Sequence, residues 1–527
     1  MSFALLWIEA LVVASLWVGL AATVFARVPR KWASRASVAM AWMIPFIIFA
    51  AFTAFSAWLK FGVELRANCF WWGSTLLIAY CIVGIVVLVF ATRSAPDAPG
   101  WVAARWSFGR MAAMVLTAMV VLFLTYWNME LALRSQAQSL RSDAGMLMLE
   151  VSPPPVSDSQ NAALEYEKAF TVMDKDPSLR DSKSPFGKDD LDPKGPDAIT
   201  ILKRHELTLR ILLRAAQLPD CRFDHDYAHP SENMLLPELT DARTAARLLQ
   251  LQARAALARG DVESAVSGVN AISHLSRDIG QEPILIPALV AVSIDALAAQ
   301  TLSDLLPAAK RPDQLQALRL REPADYPRML AHAFQGEEAF GLTFLAEMAS
   351  GRMGSYSNVT VVPLYGVFLM PAEFFGYRQM MDEYRQAALE PYFKAVAHVP
   401  SDARIRHIGL ITSIIMPSLS RAFEVITQAQ ALAIDAQVGV AMSRYRLDHG
   451  MLPEKLDLLA PDYLDATPTD PFDGKPLRVA HHENEVVIYS IGPDLTDDGG
   501  TPFNRKTGKG DVIFKFKVRP AGSANGH

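Results

Sequence analysis

Tyr489-Ser-Ile-Gly-Pro-Asp-Leu-Thr-Asp-Asp-Gly-Gly500 reads as a short apolar strand running into a loop of glycines and aspartates. The strand is predicted over 486–489, and a second over 512–516 after Asp511. Between them stand Asp494, Asp497 and Asp498. Carboxylates on a glycine-rich loop can fold oxygens around a hard cation such as calcium. The loop is not an EF-hand, because the position where that motif needs glutamate is Arg505. Strand, loop and strand predict a small α+β module at the C-terminal end of the chain.

Upstream, Pro468-Thr-Asp-Pro-Phe-Asp-Gly-Lys-Pro476 is a proline-rich turn segment, and Ala441-Met-Ser-Arg-Tyr-Arg-Leu-Asp-His-Gly450 followed by Leu452-Pro453 reads as a helix end with its exit loop. In this order, with Ile488-Tyr-Ser-Ile-Gly-Pro-Asp494 and Gly510-Asp511-Val-Ile, these blocks resemble the major pseudopilin of type II secretion over residues 441–516. The resemblance implies calcium held by Asp494 and Asp511, with Asp497 or Asp498 as substitutes. Two features depart from the family. The loop between Gly499 and Gly510 has its own composition, and no tryptophan follows Asp511. The whole chain is similar to large bacterial membrane proteins that end in such a module.

The front of the chain is different. All ten tryptophans lie at or before Trp127. Residues 1–133 hold nine Lys/Arg and four Asp/Glu, whereas the remainder is acidic. Four apolar runs, near 3–26, 37–59, 70–92 and 111–133, have the roughly 20 residues a bilayer crossing needs. Arg27, Arg30, Lys31 and Arg35 load the first connection, and Arg93, Arg105 and Arg110 the third. The positive-inside rule then places both termini, and residues 134–527, on the outer side of a bacterial inner membrane. Glu9 lies within the first run; its surroundings look faintly like a pilin N-terminus, but the spacing and three further runs argue against that. The body carries no basic stripe, which excludes nucleic acid as a partner. Three cysteines, Cys69, Cys81 and Cys221, exclude a disulfide framework.

Residues 134–200 read as an extracytoplasmic linker with a short helix over 161–170, and 201–440 as an α-helical body. A long amphipathic run with Leu248, Leu249, Ala253, Ala256 and Leu257 on one face breaks at Gly260-Asp261 and resumes with Ala265, Val269, Ile272 and Leu275. The turn resembles that of a tetratricopeptide pair, but no 34-residue period recurs. Residues 517–527 read as a disordered tail.

Two constellations compete as chemistry. His225-Asp-Tyr-Ala-His229 has a metal-like spacing only on a helix, and Pro230 beside it predicts a loop. Glu337-Glu338 pairs carboxylates on a predicted helix, where charged residues are more often structural. No nucleophile elbow, P-loop or dinucleotide fingerprint occurs. The expectation is a mainly α membrane protein with four transmembrane helices, an extracytoplasmic helical body and a pseudopilin-like module. Its expected role is non-enzymatic, binding a protein or envelope partner. The alternatives are a periplasmic hydrolase, which a cleft gathering His225, His229 or Glu337 would favour, and a secretion or transport component.

Overall fold

The computed structural model describes residues 135, 137–179, 186, 191–230, 234, 236–349, 370–400, 404–405, 417–482 and 484–518. The four predicted spans, Glu9 and the tail beyond residue 518 lie outside them; residue 517, the first of the predicted tail, belongs instead to a strand. The chain divides into two compact units, 1–141 with 344–377, and 142–343 with 378–527. The second unit holds nearly all that follows.

It is mainly helical, with one three-stranded sheet. Helix α1 covers 137–151. Asn161 then caps α2 (Ala162–Met173) by accepting the Ala163 N–H, so the predicted short helix forms and runs three residues further. Helices α3 (Pro196–Arg204) and α4 (Glu206–Ala215) follow. Helix α5 (Glu238–Ala258) and α6 (Val262–Ile279) make the predicted hairpin. Gly260 takes the left-handed conformation at the turn, and Asp261 caps α6 through the Ser264 N–H.

Helix α7 (Leu285–Leu305) returns along α5 and α6. By length and hydropathy it alone, among the described residues, passes as a membrane span, yet 56 % of its apolar window is buried. Helices and sheet cover one side of it, and Ile286, Ser293, Ala296, Gln300 and Asp304 line an exposed stripe on the other. After α8 (Pro312–Gln316), α9 (Asp325–Ala349), α10 (Met370–Ala388) and α11 (Tyr392–Ala395) comes α12 (Pro417–His449). The sequence boundary at 441 therefore falls inside one uninterrupted 33-residue helix.

The sheet is antiparallel, with β1 (Arg478–His481), β2 (Glu485–Ser490) and β3 (Val512–Lys517) in that order. Val486 faces Phe516 and Ile488 faces Phe514 across the β2–β3 ladder. These two pairs lie on one face and enter the same core as Val269 of α6, Leu302 and Leu305 of α7, and Val438 and Met442 of α12. Gly439 marks the close approach, since a Cβ there would stand 2.5 Å from the Phe514 ring. Gly500 lies against Val487 and Tyr489 on the other face. The Asp/Gly loop thus covers the sheet's second side, which explains why β2 is buried along five of its six residues.

Asp435 is the exception within this core. It is fully buried on α12, and neither carboxylate oxygen has a hydrogen-bond partner. Burial, with the charge of Asp470 adding to it, holds its carboxyl well above the usual range. A raised folded value means a stability contribution present below about pH 4 and lost as pH rises toward that value. Asp435→Ala is therefore expected to raise stability near neutral pH by about 1–2 kcal/mol. It should also remove about one proton from the pH slope of unfolding above about pH 4. Chemical unfolding of both proteins across that range checks this; a destabilised variant with an unchanged slope overturns it.

Candidate functional site

The loop 494–511 is built from turns whose carboxylates bind the chain itself. Asp494 accepts Thr496 N–H (3.2 Å) and Gly510 N–H (3.3 Å) on its two oxygens. Asp497 accepts Gly499 N–H at 3.0 Å and Arg478 Nε–H at 3.1 Å. Asp511 is buried and accepts Asp498 N–H at 3.3 Å and Gly500 N–H at 2.6 Å. Burial pushes the Asp511 carboxyl up; the two amides pull it down, and the charges of Asp497 and Asp498 oppose them. Asp498 is exposed, and its carbonyl accepts the Thr501 hydroxyl. Among the described residues no three His, Cys, Asp or Glu side chains are placed to hold a metal ion. As folded, the aspartates make hydrogen-bonded turns.

Asp470 is the stronger organiser of the module. It sits in the proline-rich segment, is 1 % exposed, and accepts four hydrogen bonds. Oδ1 takes Phe472 N–H (2.8 Å) and the Ser490 hydroxyl (2.7 Å); Oδ2 takes Ile491 N–H (2.9 Å) and Arg478 Nη1–H (2.9 Å). The turn is closed by Gly474 N–H on the Asp470 carbonyl. One carboxylate thereby joins the turn to the end of β2 and the start of β1. Arg478 extends the join to Asp473 and Asp497. The sequence signal was the Thr-Asp-Pro-Phe-Asp-Gly run, whose aspartate-then-proline spacing favours a turn that an aspartate side chain can bridge.

The second cluster gathers around His225. The segment 221–226 has no regular secondary structure and 227–229 turns, as Pro230 implied. Its start is pinned by Asn161, whose side chain accepts Arg222 N–H and donates to the Arg222 carbonyl, both at 2.9 Å. His225 Nε2 lies 3.2 Å from Glu238 Oε1 at the start of α5. The Tyr227 hydroxyl donates to Glu282, 2.9 Å from both oxygens, in the α6–α7 connection. Glu238 and Glu282 are both buried. Burial raises Glu282 to about 7 against the lowering pulls of His225, the Tyr227 bond and Arg222. For His225 burial alone would lower the value, but the Glu238 bond and the charges of Glu282, Glu238 and Asp224 push it up. His229 stands apart, exposed and paired with Asp226. The two histidines are not brought together.

Glu337 and Glu338 also go separate ways. Adjacent helical residues point about 100° apart. Glu337 accepts Leu285 N–H at 3.0 Å and so caps the first turn of α7 from another helix. Glu338 is buried and takes Arg378 Nε–H at 3.1 Å. A further buried pair, Asp295 with Arg321 at 2.9 Å, also takes the Tyr326 hydroxyl. It borders a cavity of about 30 Å³, enough to admit water. Glu238, Glu282 and Asp295 carry no sequence flag, because their partners come from separate elements of the fold.

No family model, curated protein or solved structure matches the chain.

Proposed function

We propose that the chain is a non-enzymatic component of the bacterial envelope, anchored by four spans. Its periplasmic helical body presents a surface to a protein or envelope partner. The pseudopilin-like module at its C-terminal end is a fixed part of that body rather than a polymerising subunit. The observation that carries the reading is the shared core: the sheet's inner face packs not only on α12, the helix that leads into it, but also on α6 and α7 of the body. A filament-forming module needs its helix free to pack on copies of itself, and α12 here is enclosed by body helices and sheet. The charged clusters support the same reading, since Glu238, Glu282, Glu337 and Asp470 join chain segments to one another.

Site-specific photo-cross-linking of the full chain in cells tests the reading. Ile199 of α3 and Leu207 of α4 are exposed apolar side chains, 58 % and 55 % accessible. A photoreactive residue at either position is expected to give a discrete heterologous adduct, formed on the periplasmic side. Absence of any adduct from these and a panel of other exposed helix positions, or a cytoplasmic location of a C-terminal reporter, overturns it.

A further inference from the structure

We infer that residues 221–229 are a proton-dependent clasp, held over α5 and the α6–α7 connection while His225 and Glu282 keep their protons and released when those protons leave. The geometry is that of a strap tied to separate elements. Asn161 fixes its start beside α2. The Arg222 guanidinium bonds the Pro153 carbonyl and lies 5.2 Å from the Tyr227 ring centre. His225 reaches Glu238 of α5, and Tyr227 reaches Glu282 across 55 residues of sequence. The far end is wedged against α1, where a Cβ on Gly145 would stand 2.5 Å from the Ala228 carbonyl.

The charge balance makes the strap sensitive to protons. Facing His225 and Glu282 are Arg222, Asp224 and Tyr227 from the strap, Glu238 from α5, and Glu167 from α2. Fully deprotonated, the cluster sets Glu167, Asp224, Glu238 and Glu282 against Arg222 alone. Two protons, on His225 and Glu282, relieve most of that excess at buried positions. Burial first, then Asp224 and Glu238, also lifts Glu167, as expected where negative charge is crowded. The signs agree. Both groups hold their protons more tightly with the strap closed, so closure takes up protons and is favoured at low pH. It is lost as pH rises through about 7, the value to which Glu282 is pushed.

Cys221 supplies a reporter, because it is buried at the strap's first residue and burial, with the charges of Asp278 and Glu282, holds its thiol well above the usual range. With Cys69 and Cys81 changed to serine in the full chain, maleimide labelling of Cys221 is measured at about pH 6 and about pH 8.5, each rate divided by that of the urea-unfolded chain to remove intrinsic thiolate reactivity. The divided rate is expected to rise by about tenfold or more over that range. Glu282→Gln keeps an acceptor for Tyr227 without a titrating proton, so it should stay protected and flatten the rise. Tyr227→Phe keeps the ring and removes the bond, so it should label faster at both pH values. An unchanged divided rate in the parent chain overturns the proposal. So does a Glu282→Gln protein as steep as the parent, or a Tyr227→Phe protein labelled no faster.

Discussion

Replacing Asp470 by alanine is expected to lower the stability of the second unit by about 3–5 kcal/mol, among the largest losses any single carboxylate here should give. The reason is what stays behind. The Arg478 guanidinium loses its buried partner, and its side chain is 19 % exposed, too little for water to replace the lost carboxylate. The Ser490 hydroxyl and the Phe472 and Ile491 amides each lose an acceptor in a dry site. An unsatisfied buried donor costs about 1–3 kcal/mol, and such neighbours do not add fully. Asn at this position recovers only part, because its amide NH2 faces donors on one side and Arg478 is left with Asp473 and Asp497 alone. Asp473→Ala is the comparison, since it removes one arm of the Arg478 network and leaves the Asp470 bonds intact. Urea unfolding of the full chain, with hydrogen exchange at β2 and β3 as the local readout, measures both. A loss under about 1 kcal/mol for Asp470→Ala would mean the turn is not held by this carboxylate.

The elements that were legible in the sequence are those whose signal is local. Asp261 after Gly260 marks a helix stop and start within two residues, and the hairpin forms there. The apolar run 486–489 and the alternation after Asp511 foretell β2 and β3, which extend one or two residues further. Strand β1 is the least legible of the three because its four residues, Arg478–His481, are polar at both ends and take their register only from β2. The loop around His225 followed from Pro230, but its role did not, since Glu238 and Glu282 come from elements that only the tertiary fold assembles. The same holds for Asp435, where one acidic residue on a helix reads as solvent-facing until the sheet closes over it. The aspartates of 494–511 were legible as a turn-rich loop, and the oxygens of three of them accept N–H donors within it.

Gly336→Ala carries the second large expectation, a loss of about 2–4 kcal/mol. Helix propensity alone predicts the reverse, a gain of about 1 kcal/mol, because Gly336 lies within α9. Packing decides the sign. A Cβ at this position would fall 1.5 Å from the Pro283 carbonyl oxygen and 2.7 Å from its carbon. Neither is a flexible side-chain end, so α9 or the α6–α7 connection must move as a body. That connection has little freedom. Glu337 on the next residue of α9 holds the Leu285 N–H, and Tyr227 holds Glu282 from the other side. Displacing it therefore strains the cap on α7 and loosens the strap over Cys221 together. Gly260→Ala separates this clash from an ordinary glycine effect: Gly260 is left-handed, but nothing lies within 4 Å of an added Cβ. Its cost should stay near 1 kcal/mol, with no faster labelling of Cys221. Gly336→Ala should instead lower the unfolding midpoint and raise Cys221 labelling even at about pH 6, where the strap is otherwise closed. If Gly336→Ala proves as stable as the parent, α9 does not press on the Pro283 carbonyl, and the connection owes its position to Tyr227 and Glu337 alone.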